Sequence, residues 1–446
     1  MVSSLIKKDL FKSFDKSYES EILIAKPDRY RDIEKKSLLS DNLITMGSAL
    51  SYAPASFKKN SLSLIFEKFD RIIEFDKKKK TITVEGGITF QKFLNFTLSH
   101  GLWIPQIPGY PLISIAGAVA TNAHGKSCGY HGTIRNQIKK ITLYHKENGW
   151  LKLSEKENRE IFELTIGGFG LTGTIVDVTF DLYDFAGFNF STSIENVNST
   201  TDTINKIKNE RKNENYIYSW NRLDQSSKLG NGFIFQNQIN LNDKKKNLNK
   251  IDCIDYNHKK KILPFSLWNG YSIKFFNNIY FYFHKYLKKK KYHDDFQSVI
   301  FPFIGKERYF DMFGTQGFVE SQILVSNKYI ELFIEEFEHL HRKYTPSITL
   351  FSIKNMNGKQ NYLRFEDDSI CLTFDFIRNN KNLEFMNFLD ELCIKYQALP
   401  SIIKDSRISK NIVDKCYKHA EEFRNDLKKF DKKKIYRSEL SDRLGL

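Results

Sequence analysis

The stretch from Leu102 to Ile138 reads LWIPQIPGYPLISIAGAVATNAHGKSCGYHGTIRNQI, and its centre carries almost no side-chain bulk. Where side chains are this small, the backbone can approach a ligand closely enough for its own N–H and C=O groups to bind it. A tightly packed helix start has the same composition, so both interpretations stand at this point. The small residues are Ser114, Ala116, Gly117, Ala118, Ala120, Thr121, Asn122, Ala123 and Gly125.

Two more small-residue runs flank this stretch. Residues 46–53 read MGSALSYA after a short apolar strand, and residues 165–174 read TIGGFGLTGT before a predicted strand over 175–182. Loops of this kind bind pyrophosphate through backbone amides. Residues 46–53 form neither a Walker A loop nor a Gly-x-Gly-x-x-Gly fingerprint, which disfavours a mononucleotide loop and a nicotinamide site. Residues 165–174, taken alone, are equally typical of a strand-entry loop.

The surrounding pattern alternates strands and helices, and 446 residues suffice for two or three domains. The run TITVEGG predicts a strand, and FQKFLNFTLSHG a helix that ends at Gly101. Beyond about residue 185, strand-like pieces such as GFIFQNQINL, GFVESQILVS and SICLTFDFI alternate with amphipathic helices over 328–342 and 383–396. The pattern predicts an α+β fold.

Composition narrows the class of protein. The chain has 69 Lys and Arg against 53 Asp and Glu, a net charge of +16. That excess allows a basic nucleic-acid-binding protein, but the lysines are scattered throughout the chain, so we interpret most of them as solvated surface and predict no nucleic-acid partner. The five cysteines form no Cys-x-x-Cys pair or zinc-ligand cluster, which predicts neither a disulfide scaffold nor a metal site. The N-terminus lacks the apolar core of a signal peptide, so we expect a cytoplasmic protein.

An aromatic-rich segment over 262–284, ILPFSLWNGYSIKFFNNIYFYFH, lies between lysine runs at 259–261 and 288–291. Its length approaches that of a membrane span, but its polar residues make insertion into hydrocarbon too costly. Two interpretations remain open: a lid packed on the second domain, or peripheral contact with the inner face of the cell membrane.

The three glycine-rich runs, in this order, resemble the FAD-binding domain of the vanillyl-alcohol-oxidase and p-cresol-methylhydroxylase (PCMH/VAO) superfamily and, within it, the decaprenylphosphoryl-ribose oxidase family. The resemblance rests on Gly47 with Ser51 and Tyr52, on the blocks GLWIPQIPG, GAVATNAHGK and GGFGLTGTI, and on weaker matches at 369–371, 403–407 and 438–446. It implies an FAD-binding domain over 1–185, an α+β substrate domain with an antiparallel sheet over 186–398, and a C-terminal return to the FAD domain over 399–446.

The resemblance also implies which residues bind the cofactor. They are small or polar residues of the three runs, together with two basic residues at the flavin and the sugar and one near the C-terminus: Gly47, Ser48, Ser51, Tyr52, Pro108, Gly109, Ser114, Gly117, Ala118, Asn122, His124, Gly125, Lys126, Gly173, Ile175 and Lys404. Some relatives attach FAD covalently through a histidine in the first loop. Leu50 occupies the matching position here, so we predict non-covalent FAD.

Lys404 and His124 are the predicted catalytic residues. Oxidation of a carbinol sends hydride to the flavin, while a base or solvent takes the hydroxyl proton. A lysine can accept that proton when its pKa is lowered in a cleft, and a charged lysine can orient the hydroxyl instead; the sequence leaves both roles open. The resemblance places Lys126, Gln322, Lys354 and Cys371 in the substrate pocket.

The resemblance implies oxidation of the 2'-hydroxyl of a polyprenyl-phosphate-linked ribofuranose, with a short-chain reductase partner completing a 2'-epimerisation in cell-wall polysaccharide synthesis. An aldonolactone oxidase of the same superfamily is the alternative, although the His-Trp-x-Lys motif frequent in those relatives is absent from the sequence. A nucleic-acid-binding protein is the alternative from a different class.

Overall fold

The computed structural model describes residues 6–185, 187, 189–209, 216–224, 229–239, 250–253, 263–287 and 292–446. The strands are β1 (Lys7–Lys12), β2 (Glu19–Ala25), β3 (Leu43–Met46), β4 (Leu62–Ile65), β5 (Ile72–Asp76), β6 (Thr81–Glu85), β7 (Leu102–Trp103), β8 (Ile138–His145), β9 (Gly149–Ser154), β10 (Thr174–Asp181), β11 (Tyr183–Asp184), β12 (Asn189–Val197), β13 (Tyr216–Asn221), β14 (Gly232–Ile239), β15 (Tyr292–Asp295), β16 (Phe318–Ser326), β17 (Ile348–Met356), β18 (Ser369–Ile377) and β19 (Leu399–Pro400).

The helices are α1 (Tyr30–Ser37), α2 (Phe90–Ser99), α3 (Ile115–Ala120), α4 (Cys128–His131), α5 (Arg159–Thr165), α6 (Thr200–Asn209), α7 (Gly270–Leu287), α8 (Phe296–Ile300), α9 (Arg308–Asp311), α10 (Ile330–Tyr344), α11 (Asn380–Tyr396), α12 (Lys410–Cys416), α13 (Ala420–Phe430) and α14 (Glu439–Leu444).

The strands assemble into a four-stranded mixed sheet, β1-β2-β4-β3, three antiparallel sheets of four or five strands, and a two-stranded antiparallel sheet, β11-β7. One antiparallel sheet has the order β5-β6-β10-β8-β9, and the other two have the orders β13-β14-β12-β15 and β17-β18-β16-β19. Helices are interspersed with these sheets along the chain. The predicted α+β class with an antiparallel sheet is confirmed.

The sheet containing β16, β17 and β18 has one apolar face and one face that carries the polar residues Glu320, Gln322 and Asp375. All nine residues of β18 are buried. On α10 the buried residues recur at helical spacing, from Ile330 through Phe333 and Ile334 to Phe337, and α10 and α11 pack on this sheet. The helices predicted over 328–342 and 383–396 are α10 and α11.

The C-terminal residues lie against the N-terminal strands. The Leu43 N–H donates to the Ile435 carbonyl at 2.7 Å, and the Arg437 N–H donates to the Leu43 carbonyl at 2.8 Å. Farther along, the Glu439 N–H donates to the Phe57 carbonyl at 3.1 Å. These bonds hold 435–439 beside the strand that leads into the first glycine-rich run. The boundaries at 185 and 398 stay a prediction.

Residues 270–284 of the aromatic segment belong to α7, and residues 263–269 precede this helix. Ile262 lies outside the described residues. No helix in the described ranges is both long and apolar enough to cross a membrane.

Candidate functional site

A cavity of about 1110 Å³ lies where the three glycine-rich runs meet the β16–β18 sheet and α7. This volume is slightly above the range of about 300–1,000 Å³ that ligand pockets occupy. Small residues of the runs line one end, and aromatic residues of α7 and the loop before α9 line the other. The cavity can therefore hold a dinucleotide-sized cofactor together with a substrate.

The first glycine-rich run leaves β3 and contacts the second run directly. A Cβ on Gly47 would lie 2.1 Å from the Ser114 Oγ, so only glycine allows the two loops to approach this closely. Ala49 takes a left-handed backbone with φ of 53°. Such a conformation in a residue other than glycine costs about 1–3 kcal/mol and is typical of ligand-binding loops.

The second run turns sharply after α3. A Cβ on Gly125 would lie 2.0 Å from the Ile107 carbonyl oxygen, which is backbone and cannot move aside cheaply. The turn brings the side chains of His124 and Lys126, on either side of Gly125, to the cavity wall. In the third run, Phe169 has φ of 55° and Gly173 has φ of 133°. All three runs thus present backbone to one cavity.

These features fit FAD. Backbone of the three runs lines the cavity where side chains would block a cofactor, and the Oγ of Ser401 on the same wall is buried with no hydrogen-bond partner among the described residues. A buried polar atom without a partner is rare in proteins and is explained when a ligand supplies the partner. The predicted residues on the cavity wall are Gly47, Ser48, Ser51, Tyr52, Pro108, Gly109, Ser114, Gly117, His124, Gly125, Lys126, Gly173, Ile175, Gln322, Lys354 and Lys404.

A polar cluster surrounds Lys404. The Lys404 Nζ lies 3.2 Å from the Glu320 Oε1 and 3.8 Å from the centre of the Tyr52 ring. Gln322 also holds this carboxylate, its Nε2 donating to Glu320 Oε1 at 2.8 Å. An ion pair at 3.2 Å attracts by about 5 kcal/mol at an effective dielectric constant of about 20. This attraction fixes the ammonium group at the cavity wall.

Asp375 lies behind Glu320, directly opposite it in the β16–β18 register. It accepts a hydrogen bond from the Tyr309 hydroxyl at 2.7 Å, while its other oxygen, Oδ1, has no N–H or O–H donor among the described residues. Burial first, and then the charge of Glu320, hold the pKa of Asp375 well above its usual value. Asp375 therefore keeps its proton to a higher pH than an exposed aspartate does.

Burial, and next the charges of Lys354 and Lys404, hold the pKa of His124 well below its usual value, so its imidazole is neutral. Its ring stacks on Phe365, with centroids 5.6 Å apart. A neutral imidazole can donate or accept a hydrogen bond but adds no positive charge to the site.

A group of lysines faces the cavity beyond His124. The Lys126 Nζ donates to the Val299 carbonyl at 2.5 Å and lies 4.0 Å from the centre of the Tyr218 ring. Burial lowers the pKa of Lys126 well below its usual value, and the charges of Lys306 and Lys354 lower it further. An anion in the cavity would offset the repulsion that Lys126 experiences from Lys306 and Lys354.

The loop that carries Lys404 is tied down on both sides. The fully buried carboxylate of Asp15 accepts hydrogen bonds from the Ser406 hydroxyl at 2.5 Å and from Arg378 at 3.0 Å. Arg407, next in the chain, pairs with Asp390 at 3.0 Å and with Asp405 at 2.8 Å. These contacts fix the position of Lys404 relative to the cavity.

Three predicted site residues do not line the cavity. Ala118 is fully buried, because it lies on the inner face of α3. Asn122 is buried; its Nδ2 donates to Glu366 at 2.8 Å, and its Oδ1 has no hydrogen-bond partner among the described residues. Cys371 lies opposite Lys354 in the β17–β18 register and is fully buried, and burial raises the pKa of its thiol to about 11. These three residues do not appear on the cavity wall, and their assignment to the site stays a prediction.

Sequence reasoning missed Glu320, Tyr309 and Asp375. Strand periodicity could have found two of them, because residues two apart share a face. Glu320 is two residues before Gln322, and Asp375 is four residues after Cys371. No motif distinguishes Tyr309, which comes from a loop and a one-turn helix.

Residues 39–154 match the FAD binding domain family. The chain is 22% identical over 417 residues to decaprenylphosphoryl-beta-D-ribose oxidase of Mycolicibacterium smegmatis, covering 91% of this chain and 89% of that protein. It is 31% identical over 112 residues to L-gulonolactone oxidase of Scyliorhinus torazame, covering 25% of each chain. It is 27% identical over 109 residues to alditol oxidase of a Streptomyces species, covering 24% of this chain and 26% of that enzyme. The matched FAD binding region contains the first two cavity-lining runs.

Proposed function

We propose that this chain, which is an FAD-dependent oxidoreductase, oxidises the 2'-hydroxyl of a ribofuranose to the ketone. The ribofuranose is carried on a polyprenyl phosphate. The observation that supports this most is the arrangement of the cavity. A backbone-lined end fits the cofactor, a Lys404–Glu320 pair lies on the wall, and the opposite end is aromatic. A relative named for a decaprenylphosphoryl ribose aligns over most of the chain.

The oxidation consists of a proton transfer and a hydride transfer, and residues of the cavity wall take part in the proton transfer. When bound, FAD supplies a two-electron acceptor for the hydride that leaves the carbinol carbon. The hydroxyl proton goes to the Glu320 carboxylate, which lines the cavity, while the Lys404 ammonium donates a hydrogen bond that orients the hydroxyl oxygen. One C–H and one O–H bond break, and a C=O bond forms. Asp375 stabilises the protonated Glu320 carboxyl group beside it.

The lysines beyond His124 support a substrate that carries phosphate. Lys306 and Lys354 lie close enough to Lys126 to lower its pKa, and all three lysines line the cavity. A phosphate diester between them would relieve their repulsion, and the aromatic end would take the first isoprene units. A free sugar lactone offers neither group.

A ketone at the 2'-position is an intermediate of epimerisation when a reductase returns hydride to the opposite face. We therefore propose that a short-chain reductase consumes the product. This chain would supply only the oxidising half of the reaction.

Anaerobic reduction of the flavin tests the proposal. A short-chain polyprenyl-phosphate-linked ribofuranose should bleach the flavin band, whereas free aldonolactones should not. Replacing Lys404 by Ala should leave FAD bound and abolish the reduction, while the surface variant Lys410→Ala should reduce at the wild-type rate. Bleaching by a lactone alone would refute the substrate, and unchanged reduction by Lys404→Ala would refute the role of the lysine.

A further inference from the structure

The surface of α7 carries an apolar patch that the oxidation does not use. We define the aromatic face as five exposed residues: Tyr271, Phe275, Ile279, Tyr282 and Phe283, whose exposed fractions are 90%, 59%, 53%, 64% and 55%. Soluble proteins rarely leave so many large apolar side chains together on one element, and such patches mark interaction sites.

The patch has a defined orientation. At 3.6 residues per turn, the five side chains fall within an arc of about 120°. The buried residues Ile273, Asn277 and His284 project from the opposite side, toward the protein. The helix therefore lies flat on the molecule and points the aromatic face outward.

The same helix forms a wall of the cavity. Phe276, Ile279, Tyr280 and Phe283 line the cavity, and the Tyr280 ring lies 4.5 Å from the ring of Trp220 inside it. Ile279 and Phe283 belong both to the aromatic face and to the cavity lining. Apolar surface thus runs without interruption from the outside of the molecule to the substrate end of the cavity.

The charges favour a lipid surface as the occupant. Helix α7 contains no Asp or Glu, and Lys274 and Lys285 are exposed at the edge of the aromatic face. The sequence then continues with four lysines, 288–291, which lie outside the described residues. Tyrosine and phenylalanine bordered by lysine are typical of helices that lie in the headgroup region of anionic bilayers, where each cation adds about 1 kcal/mol.

We propose that α7 docks on an anionic lipid bilayer, with its aromatic face at the boundary of headgroups and acyl chains. In this position the cavity opens toward the lipid, so a polyprenyl chain enters along α7 without crossing water. This docking is a separate proposal from the oxidation, because its ligand is the lipid bilayer and not the sugar that is oxidised.

Vesicle co-sedimentation tests the docking with the flavin-loaded full-length protein. Vesicles of phosphatidylcholine with about a third phosphatidylglycerol should sediment the wild type, and pure phosphatidylcholine vesicles should sediment less of it. The double variant Phe275→Ser/Tyr282→Ser, at positions that do not line the cavity, should partition about tenfold less. The matched control is Leu38→Ser/Leu332→Ser, at residues 68% and 52% exposed; it should sediment like the wild type.

Three outcomes would overturn the docking: wild-type protein that stays in the supernatant, a Phe275/Tyr282 variant that sediments like the control, or a self-associated wild type whose aromatic face is covered by a second copy and binds no vesicles. Flavin content and reduction by a soluble short-chain substrate should be unchanged in the variant. Failure of that reduction in the wild type would refute the substrate and leave the vesicle result standing.

Discussion

Replacing Glu320 by Gln separates the proton acceptor from the lysine that orients the substrate. The amide keeps the shape of the side chain, and its oxygen can still accept from the Gln322 Nε2, now 2.8 Å from the carboxylate, and from the Lys404 Nζ at 3.2 Å. Its nitrogen can donate to the Asp375 Oδ1, which has no donor among the described residues. We therefore expect the variant to fold and to bind FAD like the wild type.

The chemistry should nevertheless fail, because an amide cannot take the hydroxyl proton. Loss of a positioned general base costs about 10²–10⁴ in rate, or about 3–5 kcal/mol of barrier. The attraction between Glu320 and Lys404, about 5 kcal/mol at an effective dielectric constant of about 20, is similar in size to this increase in the barrier. We expect the rate constant of flavin reduction to fall at least about a hundredfold, with little change in substrate affinity.

Anaerobic stopped-flow measurement of the flavin band at several substrate concentrations separates the rate constant from the affinity. Asp375→Asn is the matched control, because Asp375 lies behind Glu320 and does not line the cavity; we expect a smaller loss. Wild-type reduction by Glu320→Gln would refute the assignment, and so would a loss confined to substrate affinity.

Further predictions concern the cofactor, one loop and the pH dependence of stability. Acid or heat denaturation should release yellow FAD into the supernatant, because Leu50 offers no attachment point; colour in the pellet would contradict this. Gly125→Ala should destabilise the protein by about 1–3 kcal/mol in urea unfolding and reduce its flavin content, because its Cβ would meet the Ile107 carbonyl oxygen, whereas Gly270→Ala, with open space around it, should do neither. Burial, and next the charge of Arg342, lower the pKa of His341 to about 4, so between about pH 6.5 and 4 the unfolded chain binds more protons and stability falls as the pH falls. His341→Leu should remove about 3 kcal/mol of that loss when unfolding at pH 7.5 and 4.5 is compared, and an unchanged difference would contradict the reasoning.

The sequence predicted the part of the site that depends on backbone. The runs around Gly47, Gly125 and Gly173 stood out because small residues leave a recognisable pattern wherever loops approach closely or φ is positive. The helices α10 and α11 were predictable for a similar reason, since their apolar residues recur at helical spacing.

The side-chain part of the site was less predictable, because it depends on register and on distant contacts. Asp375 faces Glu320 only through the pairing of β16 with β18, and nothing local specifies that register. Asn122 looked like a cofactor ligand within its run, yet its amide binds Glu366, which is 244 residues away. An interaction across that separation leaves no trace in the spacing of the residues that make it.

The ties around the Lys404 loop also determine when the enzyme becomes active during its synthesis. Asp15 is synthesised well before its partners Arg378 and Ser406, which follow it by 363 and 391 residues. The run after β3 likewise waits for Ile435 and Arg437 to arrive beside Leu43. A nascent chain therefore has its cofactor loops long before it has a fixed Lys404. Oxidation can begin only after these later residues have been synthesised, and fragments that end before Lys404 should have no oxidase activity.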